Sequence, residues 1–151
     1  MGELILFFKS DTVPSESQFE SEPFLFVDKF EFLNKEVDRL VSLNINWDRQ
    51  GGLPVLKEVG EVSKKLFATI DFLDGVTDIF PNPHGTLTIE WTNSQKEKLA
   101  LEIGANSYSY FVKFSDNKPK LVDGKDILVD TQKLTKDLGE LFSEEIPNFI
   151  L

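Results

Sequence analysis

Between Thr86 and Phe114 bulky apolar residues recur at every second position, and this alternation folds on itself in one consistent way. Leu87, Ile89 and Trp91 alternate with Thr86, Thr88 and Glu90; Leu99, Leu101 and Ile103 alternate with Lys98, Ala100 and Glu102. A turn over Asn93–Glu97 sets Trp91 opposite Leu99, Ile89 opposite Leu101 and Leu87 opposite Ile103. A second turn over Gly104–Ser107 sets Ile103 opposite Tyr108, Leu101 opposite Tyr110 and Leu99 opposite Val112. All three strands then carry their large side chains on one face. A slip of one residue in either hairpin would send a whole set to the other side, so the register is well specified. The pattern predicts an antiparallel meander with one buried face.

Elsewhere the period lengthens to that of a helix. Phe30, Leu33, Val37, Leu40 and Val41 predict a first helix that fades near Leu43-Asn44. A second is predicted from Pro54, a residue suited to a first helical turn, through Val55, Val59, Val62, Leu66, Ile70 and Leu73 to a stop at Gly75. Gly60 inside it costs about 1 kcal/mol relative to Ala, a cost usually accepted for a close packing contact. A third helix starts at a cap on Asp130 or Thr131 and carries Leu134, Leu138, Leu141 and Phe142. Lys120–Val122 reads as an edge strand and Glu3–Phe8 as another strand. Ser10–Pro23 is a loop, Phe24–Val27 a short strand or the start of a helix, and Glu144–Leu151 an apolar tail against the body. Without repeats or an internal linker, residues 1–151 read as a single α+β domain: an antiparallel β-meander of three to five strands with two or three helices packed on one face.

Composition narrows the function classes. A chain of 151 residues with 40% hydrophobic content and 14 Phe can bury a genuine core. The absence of Cys removes disulfides, thiolate metal sites and Cys nucleophiles. The apolar run Leu4–Phe8 is too short and lacks the basic flank of a signal peptide, and no stretch has the length of a membrane span. A cytoplasmic protein without membrane contact is expected. With 26 acids against 16 bases the net charge is −10, which argues against nucleic acid and favours solubility or a basic protein partner.

Few residues carry candidate chemistry. Glu90 and Glu102 fall on the polar face of the meander as diagonal neighbours, at roughly 7–8 Å. Two carboxylates at that separation suit a small-molecule or cation site or an acid–base pair, and equally suit the wet side of a half-buried sheet. Phe111 projects to the same face beside Ala100, and an aromatic among polar neighbours points to a covering partner. His84, the one histidine, lies in a Pro-Gly turn without a nucleophile motif and is expected to be exposed and idle. Asp123, Asp126 and Asp130 lack the pattern of a calcium loop and read as a solvated turn. No metal, cofactor or catalytic residue is expected.

The segment Asn46-Trp47-Asp48-Arg49-Gln50-Gly51-Gly52-Leu53-Pro54 stands between two helical patterns. As a corner, it would place Trp47 as a plug in the core, Asp48 on backbone N–H groups of the turn, and the glycines in left-handed conformations. As a site, Trp47 and Asp48 would floor a pocket at the start of the second helix. The segment resembles the Trp-Asp-Gly-Tyr-Gly-Ala-x-Pro motif of an uncharacterised family of small bacterial proteins, in which Leu-Glu-Trp and Leu-Glu-Ile strands follow. Ile89-Glu90-Trp91 and Leu101-Glu102-Ile103 stand in the corresponding places. Arg49 and Gln50 depart from the family's Gly and Tyr, and Gly52 replaces its Ala. The expectation is a non-enzymatic protein, an antitoxin- or immunity-like neutraliser or adaptor, that binds a protein partner or self-associates. The candidate binding residues are Trp47, Asp48, Glu90, Glu102 and Phe111. The alternative is a small-molecule or metal-binding protein, or a carboxylate-based enzyme, using Glu90 and Glu102.

Overall fold

The register read from the alternation is the register of the folded chain. The computed structural model describes residues 28–115 and 117–143, so the expectations for Glu3–Phe8, Ser10–Pro23, Phe24–Val27 and Glu144–Leu151 lie outside the described residues. Helix α1 (Lys29–Val41) and helix α2 (Lys57–Phe67) precede a five-stranded antiparallel meander. Its strands are β1 (Val76–Pro81), β2 (Leu87–Thr92), β3 (Lys98–Ile103), β4 (Tyr108–Lys113) and β5 (Lys120–Gly124), and helix α3 (Thr131–Leu141) follows. Strands neighbour one another in chain order, and the partners of Trp91, Ile89 and Leu87 on β3, and of Leu99, Leu101 and Ile103 on β4, are those given by the sequence.

The inner face of the sheet and the three helices enclose one core. Leu87, Ile89, Trp91, Leu99, Leu101 and Val112 are inaccessible to solvent. They meet Leu33, Val37 and Leu40 of α1, Val59 and Leu66 of α2, and Leu134, Leu138 and Leu141 of α3. The Trp91 indole N–H, which burial would otherwise strand, donates to the Phe72 carbonyl at 3.1 Å. Asn93 at the β2–β3 turn ties the meander to α3: its amide donates to Leu141 O at 2.7 Å while its Oδ1 accepts from Glu97 N at 2.9 Å. Gly60 has the close contact expected of it. A Cβ there would lie 2.8 Å from Val41 Cγ2 and 3.3 Å from Val37 Cγ1, so its absence lets α1 and α2 approach.

Two expectations are corrected, and one strand is added. Helix α2 begins at Lys57 rather than Pro54, because Leu53, Val55 and Leu56 donate their N–H groups to Pro83, Leu40 and Gly85 at 2.9, 3.2 and 2.9 Å. These tertiary bonds hold the segment extended. The same helix ends at Phe67, and Gly75 lies in a short 3-10 turn over Leu73–Gly75, where a Cβ would collide with the Phe142 ring. Strand β1 was not expected at all. A bulge between Val76 and Asp78 breaks its period, so Val76 pairs with Trp91 and Ile79 with Ile89, both inward but three residues apart.

Candidate functional site

The register fixes what the outer face of the sheet presents. One row across the strands reads Asp78, Glu90, Ala100, Phe111, Leu121; the next reads Phe80, Thr88, Glu102, Ser109, Asp123. The first row runs from acid at β1 to apolar at β5. Phe111 and Leu121 face each other, Phe111 half-buried and Leu121 78% exposed. The helices bury their apolar stripes against the inner face, and no described helix covers the outer one.

Glu90 and Glu102 are diagonal neighbours, as expected, but their carboxylates turn to different partners. Glu90 pairs with Lys98 at 3.3 Å. Glu102 accepts from the Thr86 hydroxyl at 2.6 Å, and Asn82 donates in turn to Thr86 and Thr88 at 3.0 and 2.8 Å. A depression of about 520 Å³ at one end of the face takes in Glu102, Asp123, Ser109 and Lys125 without Glu90. Another of about 450 Å³ holds Phe111, Glu97, Lys98 and Lys113. Neither depression takes in both glutamates, whereas acid–base work on a shared substrate needs the two to converge. Among the described residues, no group of three or more His, Asp or Glu comes together to hold a metal ion.

At the Asn46–Pro54 corner, Asp48 Oδ1 accepts from Gln50 N at 2.9 Å and from Gly52 N at 2.7 Å. Those two N–H groups, Gln50 foremost, hold its carboxyl below the usual carboxylate range. Gly51 is left-handed at φ 84°, joined by Asn46 at 69° and Arg49 at 64°. Gly52 is required for a different reason: a Cβ there would meet the Asp48 carboxylate at 2.7 Å. Trp47 is not the core plug expected. It lies half-buried on the surface and donates its indole N–H to Leu53 O at 2.5 Å across the turn. The bond to Leu53 O holds the indole over its own turn. His84 is exposed and forms a short backbone bridge with Leu53.

The least expected group is Asp137 of α3, which is fully buried. Its Oδ2 accepts from the Tyr110 hydroxyl at 2.6 Å and its Oδ1 from Lys120 Nζ at 2.8 Å. Beside it, Asp130 accepts from the Tyr108 hydroxyl at 2.6 Å, and the two Tyr rings stack with centroids 6.2 Å apart. Asp130 is thus not the side-chain helix cap expected, since its Oδ2 is engaged by Tyr108. Burial first, and the neighbouring carboxylate second, push the Tyr108 phenol up to about 12 and the Tyr110 phenol higher still. Each hydroxyl is thereby kept as a donor. The layer satisfies polar groups between sheet and helix.

Set beside known proteins, the chain matches no family model, no curated protein and no solved structure. No helix among the described residues is long and apolar enough to cross a membrane.

Proposed function

We propose that this chain is a non-enzymatic protein that acts by binding another protein, as an antitoxin- or immunity-like neutraliser or adaptor does. The observation that carries the reading is the outer sheet face. Ala100, Phe111 and Leu121 form an apolar strip on it, bordered by Asp78, Glu90, Glu102 and Asp123 and, at one end, by Lys98 and Lys113. An aromatic anchor within a charged rim is the usual anatomy of a binding surface. The four carboxylates, on a chain of net charge −10, suit a partner with a basic surface. The reading of Glu90 and Glu102 as an acid–base pair has less support, because each already answers a different neighbour.

The test is a comparative capture from extracts of the source cell. Wild-type chain should retain a partner that Phe111→Glu loses, while Val129→Glu, a substitution at an exposed site away from the strip, retains it. Equal capture by all three chains would refute the outer face as the contact.

A further inference from the structure

The two edges of the sheet are finished differently. The turn-closing bond from Asn82 N to Thr86 O, at 2.9 Å, directs the backbone groups of Asp78 and Phe80 toward β2, so those of Ile79 and Pro81 point away from the sheet edge. That edge is blunted. Asp78 Oδ1 takes the Ile79 N–H at 2.9 Å, Pro81 has no N–H, and the bulge bends the strand.

Strand β5 has no such device within Lys120–Gly124, although Pro119 just before it also lacks an N–H. The bond from Gly104 N to Ser107 O, at 2.8 Å, fixes which β4 residues bond to β3. It leaves Tyr108, Tyr110 and Val112 for Gly124, Val122 and Lys120. Leu121 and Asp123 therefore turn their N–H and C=O groups outward, and no described residue bonds to them. The Leu121 side chain is 78% exposed. A lysine on an edge strand normally resists pairing because its charge would be stranded. Lys120 is already matched by Asp137 at 2.8 Å, so a new strand alongside would not strand it. Charge is also polarised along this segment. Lys118 and Lys120 outnumber Asp116 before and at its start, while Asp123 and Asp126 outnumber Lys125 at and beyond its end. Antiparallel self-pairing sets the basic start of one strand against the acidic end of the other.

We propose that β5 pairs antiparallel with β5 of a second copy about a two-fold axis at Leu121, joining two sheets edge to edge. The two leucines face each other as a hydrogen-bonded pair and exchange N–H and C=O. Asp123 N–H of each copy donates to the Pro119 carbonyl of the other. Of the neighbouring registers with the same facing, one sets each Leu121 against the Asp123 of the other copy and loses the leucine pair, and another sets the two Asp123 carboxylates beside each other, so both are disfavoured. The inference goes beyond the outer-face reading, since it concerns the edge and leaves Phe111 open.

The absence of native Cys makes the test direct. Hydrogen-bonded antiparallel partners have Cα atoms about 5.5 Å apart, a distance that suits a disulfide. Leu121→Cys should therefore cross-link to a covalent dimer on mild oxidation, whereas Val129→Cys, also well exposed, should not. In sedimentation the wild-type full chain should dimerise with concentration. Leu121→Pro removes the outward N–H but no bond to β4, and should sediment as a monomer while melting like wild type at dilutions where wild type is itself monomeric. Should that variant fail to fold, Leu121→Lys keeps the backbone and should weaken dimerisation at least tenfold. A wild-type monomer up to millimolar concentration, equal cross-linking at both cysteines, or dimerisation that survives Leu121→Lys would each overturn the proposal.

Discussion

The two faces of this sheet share the same strands and differ in how completely their side chains are answered. Inward, Tyr110, Leu101 and Ile89 lie in one row under the helices, and even the polar tip of Tyr110 has a buried carboxylate. Outward, one residue along, Phe111, Ala100 and Glu90 form a row that no described helix covers. A period of two is enough to separate a sealed face from an open one. Polar groups inside are held by neighbours within this chain. Those outside keep partly exposed charge.

That contrast can be broken most severely from within. Trp91→Ala should cost about 3–5 kcal/mol in urea unfolding, by removing the largest wholly buried side chain of the inner face. Asp137→Ala should cost about 2–3 kcal/mol, because the buried Tyr110 hydroxyl loses its acceptor while Lys120 can still reach water. A loss below about 0.5 kcal/mol would mean that the polar layer is incidental to the seal.

The third test is pH. Tyr108 has an ordinary pKa of 10.0 that folding raises to about 12, so the folded state keeps a proton the unfolded chain gives up. Its stabilising contribution is complete below pH 10 and disappears as pH rises from 10 through about 12. Thermal melts across that window should fall for wild type and fall less for Tyr108→Phe. The smallest effect belongs outside. Glu102→Gln and Glu90→Gln should each change stability by no more than about 0.5 kcal/mol while altering partner capture, which would sharpen the division between the faces.

Much of this was legible one segment at a time. The alternation over 87–112 contained the register, Gly60 announced a close crossing, and Asp48 announced a turn. Asp137 left a signal that polarity obscured. It falls three residues after Leu134 and four before Leu141, on the helix's own apolar stripe, opposite a strand Tyr whose buried hydroxyl needs an acceptor. Strand β1 was hidden by its bulge, which gives it a three-residue spacing of inward residues. The start of α2 was hidden because Leu53, Val55 and Leu56 bond to carbonyls of other segments. Trp47 misled because a large aromatic ordinarily belongs in a core, and here its indole N–H is bound to the Leu53 carbonyl across the turn.

By itself, the sequence determined which residues face inward on each regular element, since that follows from periods of two and 3.6 set by local backbone geometry. Tertiary structure decided where extended segments give way to helices, which carboxylate is buried, and which strands form the edges of the sheet. Those depend on hydrogen bonds and contacts between residues far apart in the chain, whose partners exist only once it has folded.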